Sequence, residues 1–558
     1  MHSAMTMHNN GQLEEAYHKY LEVSKAEPRN FNALHLAGII LVQVGQNEPA
    51  LELFNKAIGV RPLDHEVHYN KANALYALGR YKESLAMYGR ALQLRPESPL
   101  AFMGQGNALQ SLGEFQAAVF SYDSALKYER EYPLIYFNRG NALEALGIHD
   151  HAITSFNYAI ALQPDYVEAL DNKGNILLKL KDFAQAKATY QQSIDANPAN
   201  VAAFVNLGNA QLELQEYSEA LSSFEHAIKL APANAVAHHS MSHCMLQVGQ
   251  FDRAWDEYAW RWKTPEFLAK GGLFTFKPVW NKEVPCDRLL VWAEQGVGDE
   301  IFWGGLLSEV NQLAPKVIVQ LDARLIPMFT ATHPDIEFVA RDTRVPEDQY
   351  DAHLPMGDLG AALRASPVDF DKTRRGYLKP DAKRAAKIRE ALCKPGQKLC
   401  GVSWKSKNAN FGEEKSLTLE ALLPSLKQPG MVYVSLQYGD VAQEIADLKV
   451  KHGIEILQFT EVDNFSDLVG LADLIEACDV VLTTSNTTAH LAGALNKDTV
   501  IMLPFGRGRI WYWINEKEGR SLWYPSVQIA AQSAPAQDWS GVATQAAQMV
   551  TQLLAQRA

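Results

Sequence analysis

The sequence has few of the features that hold secreted, metal-bound or membrane-spanning chains together. Its 558 residues include only five cysteines, Cys244, Cys286, Cys393, Cys400 and Cys478, with no Cys-x-x-Cys pair. Neither a disulfide framework nor a zinc site is indicated, and buried free thiols are expected. Positive charge is in deficit: 52 Lys and Arg against 64 Asp and Glu leave a net charge of −12, which argues against a basic nucleic-acid or membrane-surface protein. No run approaches the ~18–20 apolar residues of a spanning helix, and Met1 to Asn10 lacks the order of a secretion signal. The expectation is a cytoplasmic chain with no membrane span and no nucleic-acid partner. The one Asp-x-Asp, Asp369-Phe370-Asp371, sits beside Pro367 and reads as a turn, so no metal site is expected. Apolar residues are plentiful at 47 %, enough for several packed domains.

What is present first is a period. Pro28, Pro62, Pro96, Pro164, Pro198 and Pro232 are related by 34 residues or multiples of it. In the same register an alanine and an aromatic recur four apart, as in Ala118 with Tyr122 and Ala152 with Phe156, and therefore share one helical face. Small residues at Gly38, Ala72, Gly106, Gly140, Gly174 and Gly208 let antiparallel helices approach, and Gly45, Gly79, Gly113 and Gly147 fall where a first helix must stop. The pattern resembles the tetratricopeptide repeat (TPR), with about seven repeats over residues 1–262. Such arrays form superhelices with a concave face suited to an extended peptide. Asn70, Asn138, Asn172 and Asn206 share one repeat position; Asn73, Asn107, Asn141, Asn175 and Asn209 share another, one helical turn on. They read either as a ladder for a peptide backbone or as bridges between neighbouring helices, and pattern alone does not separate the two.

Beyond Trp255, Tyr258, Trp260 and Trp262 the register ends, and residues 263–285 read as a connector. The aromatics are expected to bury the end of the array. Short apolar runs then alternate with amphipathic stretches. Strands are expected at 288–292, 317–321, 399–404, 432–436, 480–483 and 499–503, with helices at 301–310, 417–426, 465–477 and 489–495. This alternation implies two parallel α/β units, 286–376 and 377–558, with a cleft at the carboxyl ends of their strands.

Two turns there carry chemistry. Gly296, Gly298 and Asp299 follow the first strand, and Asp299 reads as a general base or a helix cap, the spacing favouring the cap. Thr483-Thr484-Ser485-Asn486-Thr487-Thr488 opens a helix that carries His490 and Gly493, a hydroxyl-rich start suited to phosphate oxygens. Lys405 and Lys407 follow Trp404 at another carboxyl end, where an ammonium could neutralise a phosphate. Arg507, Arg509, Trp511 and Trp513 follow the last strand and read as a cleft edge.

From Trp255 onward the chain resembles bacterial TPR proteins that carry a heptosyltransferase-like GT-B glycosyltransferase domain of two Rossmann-like halves. The residues that carry the likeness are Tyr258 to Trp262, Trp292-Ala293-Glu294-Gln295-Gly296-Val297-Gly298-Asp299, Gly401-Val402-Ser403-Trp404, and Ala489-His490-Leu491-Ala492-Gly493-Ala494-Leu495 with Trp523-Tyr524-Pro525. The resemblance implies an inverting, metal-independent transferase with no cofactor beyond its nucleotide-sugar donor. In it Asp299 would activate the acceptor and Lys405 would assist the leaving phosphate. The donor would lie among Gly296, Gly298, Trp404, Thr484, Ser485, Asn486, Thr487, Thr488, His490, Gly493 and Arg509. One departure is Ser485-Asn486-Thr487 where many relatives have Ser-Asp-Thr. Some repeat-bearing members are similar to flagellin glycosyltransferases, so the implied acceptor is a protein Ser or Thr, flagellin among them. The alternatives are an inactive TPR scaffold and a transferase acting on a glycan or lipid-linked acceptor.

Overall fold

The structure is a computed structural model that describes residues 1–281, 286–372, 376–407, 412–422, 430–513, 516–517, 519–534 and 538–556. The expected connector and the expected helix at 417–426 therefore fall partly outside the described residues, at 282–285 and 423–426. The chain divides into two compact units, Met1–Asn206 and Leu207–Ala558.

Eight antiparallel helix pairs occupy the first part of the chain, from His2–Asn9 with Leu13–Ala26 to Ala235–Gln247 with Phe251–Tyr258. The 34-residue period has a direct steric cause. A Cβ on Gly38, Gly106, Gly140, Gly174 or Gly208 would stand 2.6 Å from the ring of Phe54, Tyr122, Phe156, Tyr190 or Phe224 respectively. Glycine is what lets each second helix lay its aromatic ring on the first. Where Ala72 holds this position, the partner ring of Tyr88 instead lies against Gly104. The residue after each first helix turns left-handed: glycine at 11, 45, 79, 113, 147 and 249, but Lys181 (φ 63°) and Gln215 (φ 61°) in two pairs. Side chains of Asn30, Asp64, Ser98, Asn200 and Asn234, again in 34-residue register, cap the first helices by accepting from main-chain N–H groups.

The second unit holds the last repeats and two sheets. Strands β1 (Arg288–Trp292), β2 (Lys316–Leu321), β3 (Glu337–Ala340) and β4 (Ala352–Pro355) form a parallel sheet in the order β3-β2-β1-β4. The other strands are β5 (Lys398–Ser403), β6 (Met431–Ser435), β7 (Ile456–Leu457), β8 (Val480–Thr484), β9 (Thr499–Leu503), β10 (Glu516–Lys517), β11 (Arg520–Ser521) and β12 (Val527–Ala531). They form a mixed sheet ordered β10-β11-β12-β9-β8-β5-β6-β7, antiparallel only at β10-β11-β12. Every residue of β8 and β9 is buried, as a strand covered on both faces must be. The chain leaves β1 towards β2 on one side and β4 on the other, and β5 lies between β6 and β8. Each sheet thus has a switch point where crossovers diverge and a crevice opens at the carboxyl ends.

Of the four aromatics expected to bury the end of the array, Trp255 and Tyr258 are buried and Trp260 and Trp262 are half-buried. The Trp255 indole N–H donates to the Arg364 carbonyl at 2.8 Å. Arg261, fully buried, pairs with Glu294 at 3.0 Å and Asp358 at 2.7 Å. An unpaired buried guanidinium would cost several kcal/mol, so these contacts tie the last repeat to the end of β1. Asp369 accepts from the Ser366 N–H at 3.0 Å, and its segment, expected as a turn, is a 3-10 helix over Pro367–Lys372.

Gly140→Ala should lower stability by about 1–3 kcal/mol, because the ring of Phe156 must shift. Lys181→Gly should raise it by about 0.5–1 kcal/mol, because the left-handed strain is relieved. Denaturant unfolding checks both, and a neutral Gly140→Ala would contradict the steric origin of the repeat.

Candidate active site

The turn after β1 and the turn after β8 meet. The helix Val297–Gly304 begins at Gly296, and Asp299 folds its carboxylate back to accept the Gly296 N–H at 3.2 Å. That is the cap geometry, and it leaves the second oxygen of the half-buried carboxylate available. Burial raises the Asp299 carboxyl above its ordinary range, while the Gly296 N–H and the charge of Lys415 draw it back. Across from it, a Cβ on Gly298 would lie 3.1 Å from His490 Cδ2 and 4.0 Å from Thr487 Oγ1. Two helix starts therefore meet, Gly298 against His490, each with main-chain N–H groups that the helix itself cannot satisfy.

His490 is held from behind. Its Nδ1 lies 3.0 Å from the Tyr524 hydroxyl, which is 3.4 Å from Tyr377 Oη, and Tyr377 donates to the Ile301 carbonyl at 2.6 Å. The carbonyl can only accept, so the chain runs consistently from His490 Nδ1–H to Ile301 and leaves Nε2 as an acceptor. Burial, aided by Lys415, pushes His490 down to about 3, so the ring is neutral near pH 7. Gly493 is a packing position: a Cβ there would meet Tyr524 at 2.5 Å.

The hydroxyl-rich segment is turned mostly inward. Thr483, Thr484, Ser485, Asn486 and Thr488 are buried, and Thr487 is half-exposed. Ser485 Oγ accepts from the Trp513 indole at 3.1 Å. Asn486 caps its helix by accepting from Ala489 N–H at 3.2 Å and from Thr483 Oγ1 at 3.1 Å. Its amide also donates to Ser403 Oγ at 2.8 Å and to the Lys405 carbonyl at 3.2 Å. A carboxylate could not make the last bond, which gives the amide a structural reason at this position.

The cation at the gap is one the sequence did not single out. Lys405 sits at the end of β5, but its ammonium pairs with Glu444. Trp404 is buried beside it and donates to the same carboxylate at 3.1 Å. Lys415, only 3 % exposed, lies in the field of both Asp299 and His490, and burial draws its ammonium down to about 8. Its only sequence mark is a positive charge after Glu413 and Glu414. The Arg509 carbonyl accepts from Gln247 of the last repeat at 3.0 Å. Trp511 and Trp513 are buried among aromatic rings instead of standing at an edge.

A cavity of about 550 Å³ opens beside the carboxyl ends of β6 and β7, lined by Lys407, Gln437, Tyr438, Asn464 and Phe465 among others. Tyr438 and Phe465 stand 6.1 Å apart, and the Lys407 ammonium is 5.6 Å from the Tyr438 ring. The aromatic residues are separated in sequence by a helix and a strand, so no local motif announces them.

In the repeats the asparagines are joined. Asn138, Asn172 and Asn206 donate to Asn107, Asn141 and Asn175 at 3.0, 2.8 and 3.1 Å. Tyr88, Tyr122 and Tyr190 donate to Asn73, Asn107 and Asn175. Asn70 meets His35 at 2.9 Å, and Asn209 is half-buried. The bridging role is therefore present. Among the described residues, the brace uses only Oδ1 of Asn107, Asn141 and Asn175, so both N–H donors of each amide stay outside it. No group of three His, Cys, Asp or Glu suited to a metal ion occurs among the described residues, and none of their helices is long and apolar enough to cross a membrane.

Models of the tetratricopeptide repeat match residues 35–99 and 172–235, 106–147 and 134–166. The repeats are thus established. Protein FlbA of Caulobacter vibrioides is 35 % identical over 260 residues, covering 43 % of this chain and 42 % of that protein. The chain thus spans about two fifths of the length of the curated relative it matches. Among solved structures, YrrB, described as a TPR protein with an unusual peptide-binding site, is 25 % identical over 34 % of this chain and 98 % of its own, with a TM-score of 0.32. A TPR protein from Parabacteroides merdae is 19 % identical over 44 % of this chain and 96 % of its own, with a TM-score of 0.33.

Asn486→Asp should lower stability by about 1–3 kcal/mol, since it sets a carboxylate against the Lys405 carbonyl. Thermal unfolding checks it, and an unchanged midpoint would remove the amide's donor role.

Proposed function

We propose that this chain is a glycosyltransferase with two Rossmann-like halves of the GT-B kind, moving a sugar from a nucleotide donor to a protein Ser or Thr hydroxyl held by the repeats. The single observation that carries the reading is the meeting of the Asp299 turn and the Thr487–His490 helix start at two switch points, where both Asp299 and His490 feel the charge of the buried Lys415. The domain division that goes with it is 1–262 for the repeats, 263–285 for the connector, 286–376 for the acceptor half and 377–558 for the donor half.

In this mechanism the acceptor oxygen attacks the anomeric carbon while its proton passes to the free oxygen of Asp299. The bond from that carbon to the phosphate oxygen breaks, and the electron pair stays on the phosphate. Lys415 and the N–H groups of Thr487 and Thr488 meet the new charge. Inversion follows from attack opposite the leaving group. His490 Nε2 accepts from a sugar or acceptor hydroxyl. The nucleoside occupies the 550 Å³ cavity, where Tyr438 and Phe465 offer rings and Lys407 a charge. Lys405 serves through its main chain, which orders Asn486. The N–H donors of Asn107, Asn141 and Asn175 that the brace does not use suit carbonyls of an extended acceptor, and flagellin is the acceptor class we favour. A TPR scaffold without activity is the competing reading, supported by the inward turn of most hydroxyls at 483–488.

Asp299→Asn keeps the cap but not the base, so transfer should fall by about 10²–10⁴-fold while nucleotide binding by calorimetry is unchanged. Retained transfer would remove Asp299 from the mechanism, and absence of binding to UDP, CMP, ADP and GDP alike would favour the scaffold. Lys415 must stay protonated, so kcat/KM should decline as pH rises through about 8. Lys415→Arg should move that limb upward, and an unmoved limb would exclude Lys415.

A further inference from the structure

A chain of charges crosses from the first α/β half to the second. Glu300, 1 % exposed and next to Asp299 in sequence, accepts from Arg341 at 2.9 Å and from the Asp322 N–H at 2.5 Å. Arg341 also reaches Asp322 at 2.9 Å and the Gln295 carbonyl at 3.1 Å. Arg324 grips both oxygens of Asp322, at 2.8 and 2.9 Å. Its third nitrogen leaves the first half altogether: Nη1 donates to the Phe465 carbonyl at 2.8 Å, and the guanidinium lies 5.1 Å from the centre of the Phe465 ring. Phe465 stands on the rim of the 550 Å³ cavity and is 61 % exposed.

We propose that Arg324 is a positioning residue that closes the first half over the nucleoside by pinning Phe465, and that Glu300 ties this closure to the turn carrying Asp299. The proposal rests on the glycosyl-transfer reading. Its physical argument is pre-organisation. The fork of Arg324 is held by Asp322 and, through Arg341, by a buried carboxylate, so little side-chain freedom remains to be lost when it meets Phe465. The contact uses a main-chain carbonyl and a ring face, and both persist whichever base is bound. A ring covered by a cation on one side and open on the other is a platform on which a base can stack. Opening the crevice to admit a donor must break this contact, and closing must remake it. Donor binding and the placing of Asp299 are thereby drawn from one equilibrium.

The test uses the full chain and whichever of UDP, CMP, ADP and GDP binds it by calorimetry. Arg324→Ala should raise Kd about tenfold, the cost of a less populated closed form, and lower kcat. Arg324→Lys, with charge but no fork, should fall between. Adding Arg324→Ala to Phe465→Ala should cost less than Arg324→Ala costs alone, because the ring half of the contact is already gone while the bond to the main-chain carbonyl remains. A Kd within about twofold of wild type in Arg324→Ala, or fully additive effects with Phe465→Ala, would overturn the proposal. Failure of the wild type to bind any of the four would overturn the transfer reading and this inference with it.

Discussion

The second unit depends on the contact between Gly298 and His490. A Cβ at residue 298 would stand 3.1 Å from the imidazole, tighter than an ordinary contact, so glycine lets the start of the helix Val297–Gly304 approach the ring without displacing it. The histidine is itself fixed through Tyr524 and Tyr377 to Ile301, a residue of the same helix. The result is a closed circuit of contacts: helix, tyrosine, tyrosine, histidine and back to helix. A circuit of this kind sets the spacing between two sheets more firmly than any one bond, because a shift at one point strains every other.

Around that circuit the chain has spent its large aromatic residues. Phe302 lies 4.5 Å from both Tyr512 and Trp523, Trp303 and Trp255 both approach Trp511, and Phe370 meets Trp523 at 4.7 Å. Each such ring removes a large apolar area from water and adds orientation-dependent attraction. The cluster joins the last repeat, the first sheet and the segment after β9, so the end of the array belongs to the same core as the crevice. The charged counterpart is Arg261 with Glu294 and Asp358. Burial pushes the Glu294 carboxyl up to about 7 even with that guanidinium beside it, a sign of how thoroughly water is excluded where the array meets β1.

Much of this was legible in the residues. Five glycines set against five aromatics in a 34-residue register announce helix pairs because the steric demand recurs identically, and β1 and β9 lie where apolar runs end in glycine or proline turns. The strands β3 and β4 are hard to read because β3 alternates weakly and β4 contains a histidine and a proline, and β12 (Val527–Ala531) is a short run, Val-Gln-Ile-Ala-Ala, with only two large apolar residues. The site was harder to read. Hydroxyls at 483–488 indicate a helix start, but sequence cannot tell that most face inward, because that is decided by Trp513, in the 3-10 helix Trp511–Trp513, and by Ser403 at the end of β5. Lys405 and Lys415 are equally charged in sequence, and what separates them is that Glu444 takes the first while burial brings the second to Asp299. The asparagine ladder likewise showed its spacing but not its pairing, which depends on how closely adjacent repeats stack.

The central claim is that the turns at 296–299 and 484–490 form one phosphate-binding gap. Hydrogen exchange of the full chain, with and without the nucleotide that binds it, addresses this directly. The account predicts slowed exchange in both segments together on nucleotide addition. Protection confined to one of them, or to the repeats, would contradict it.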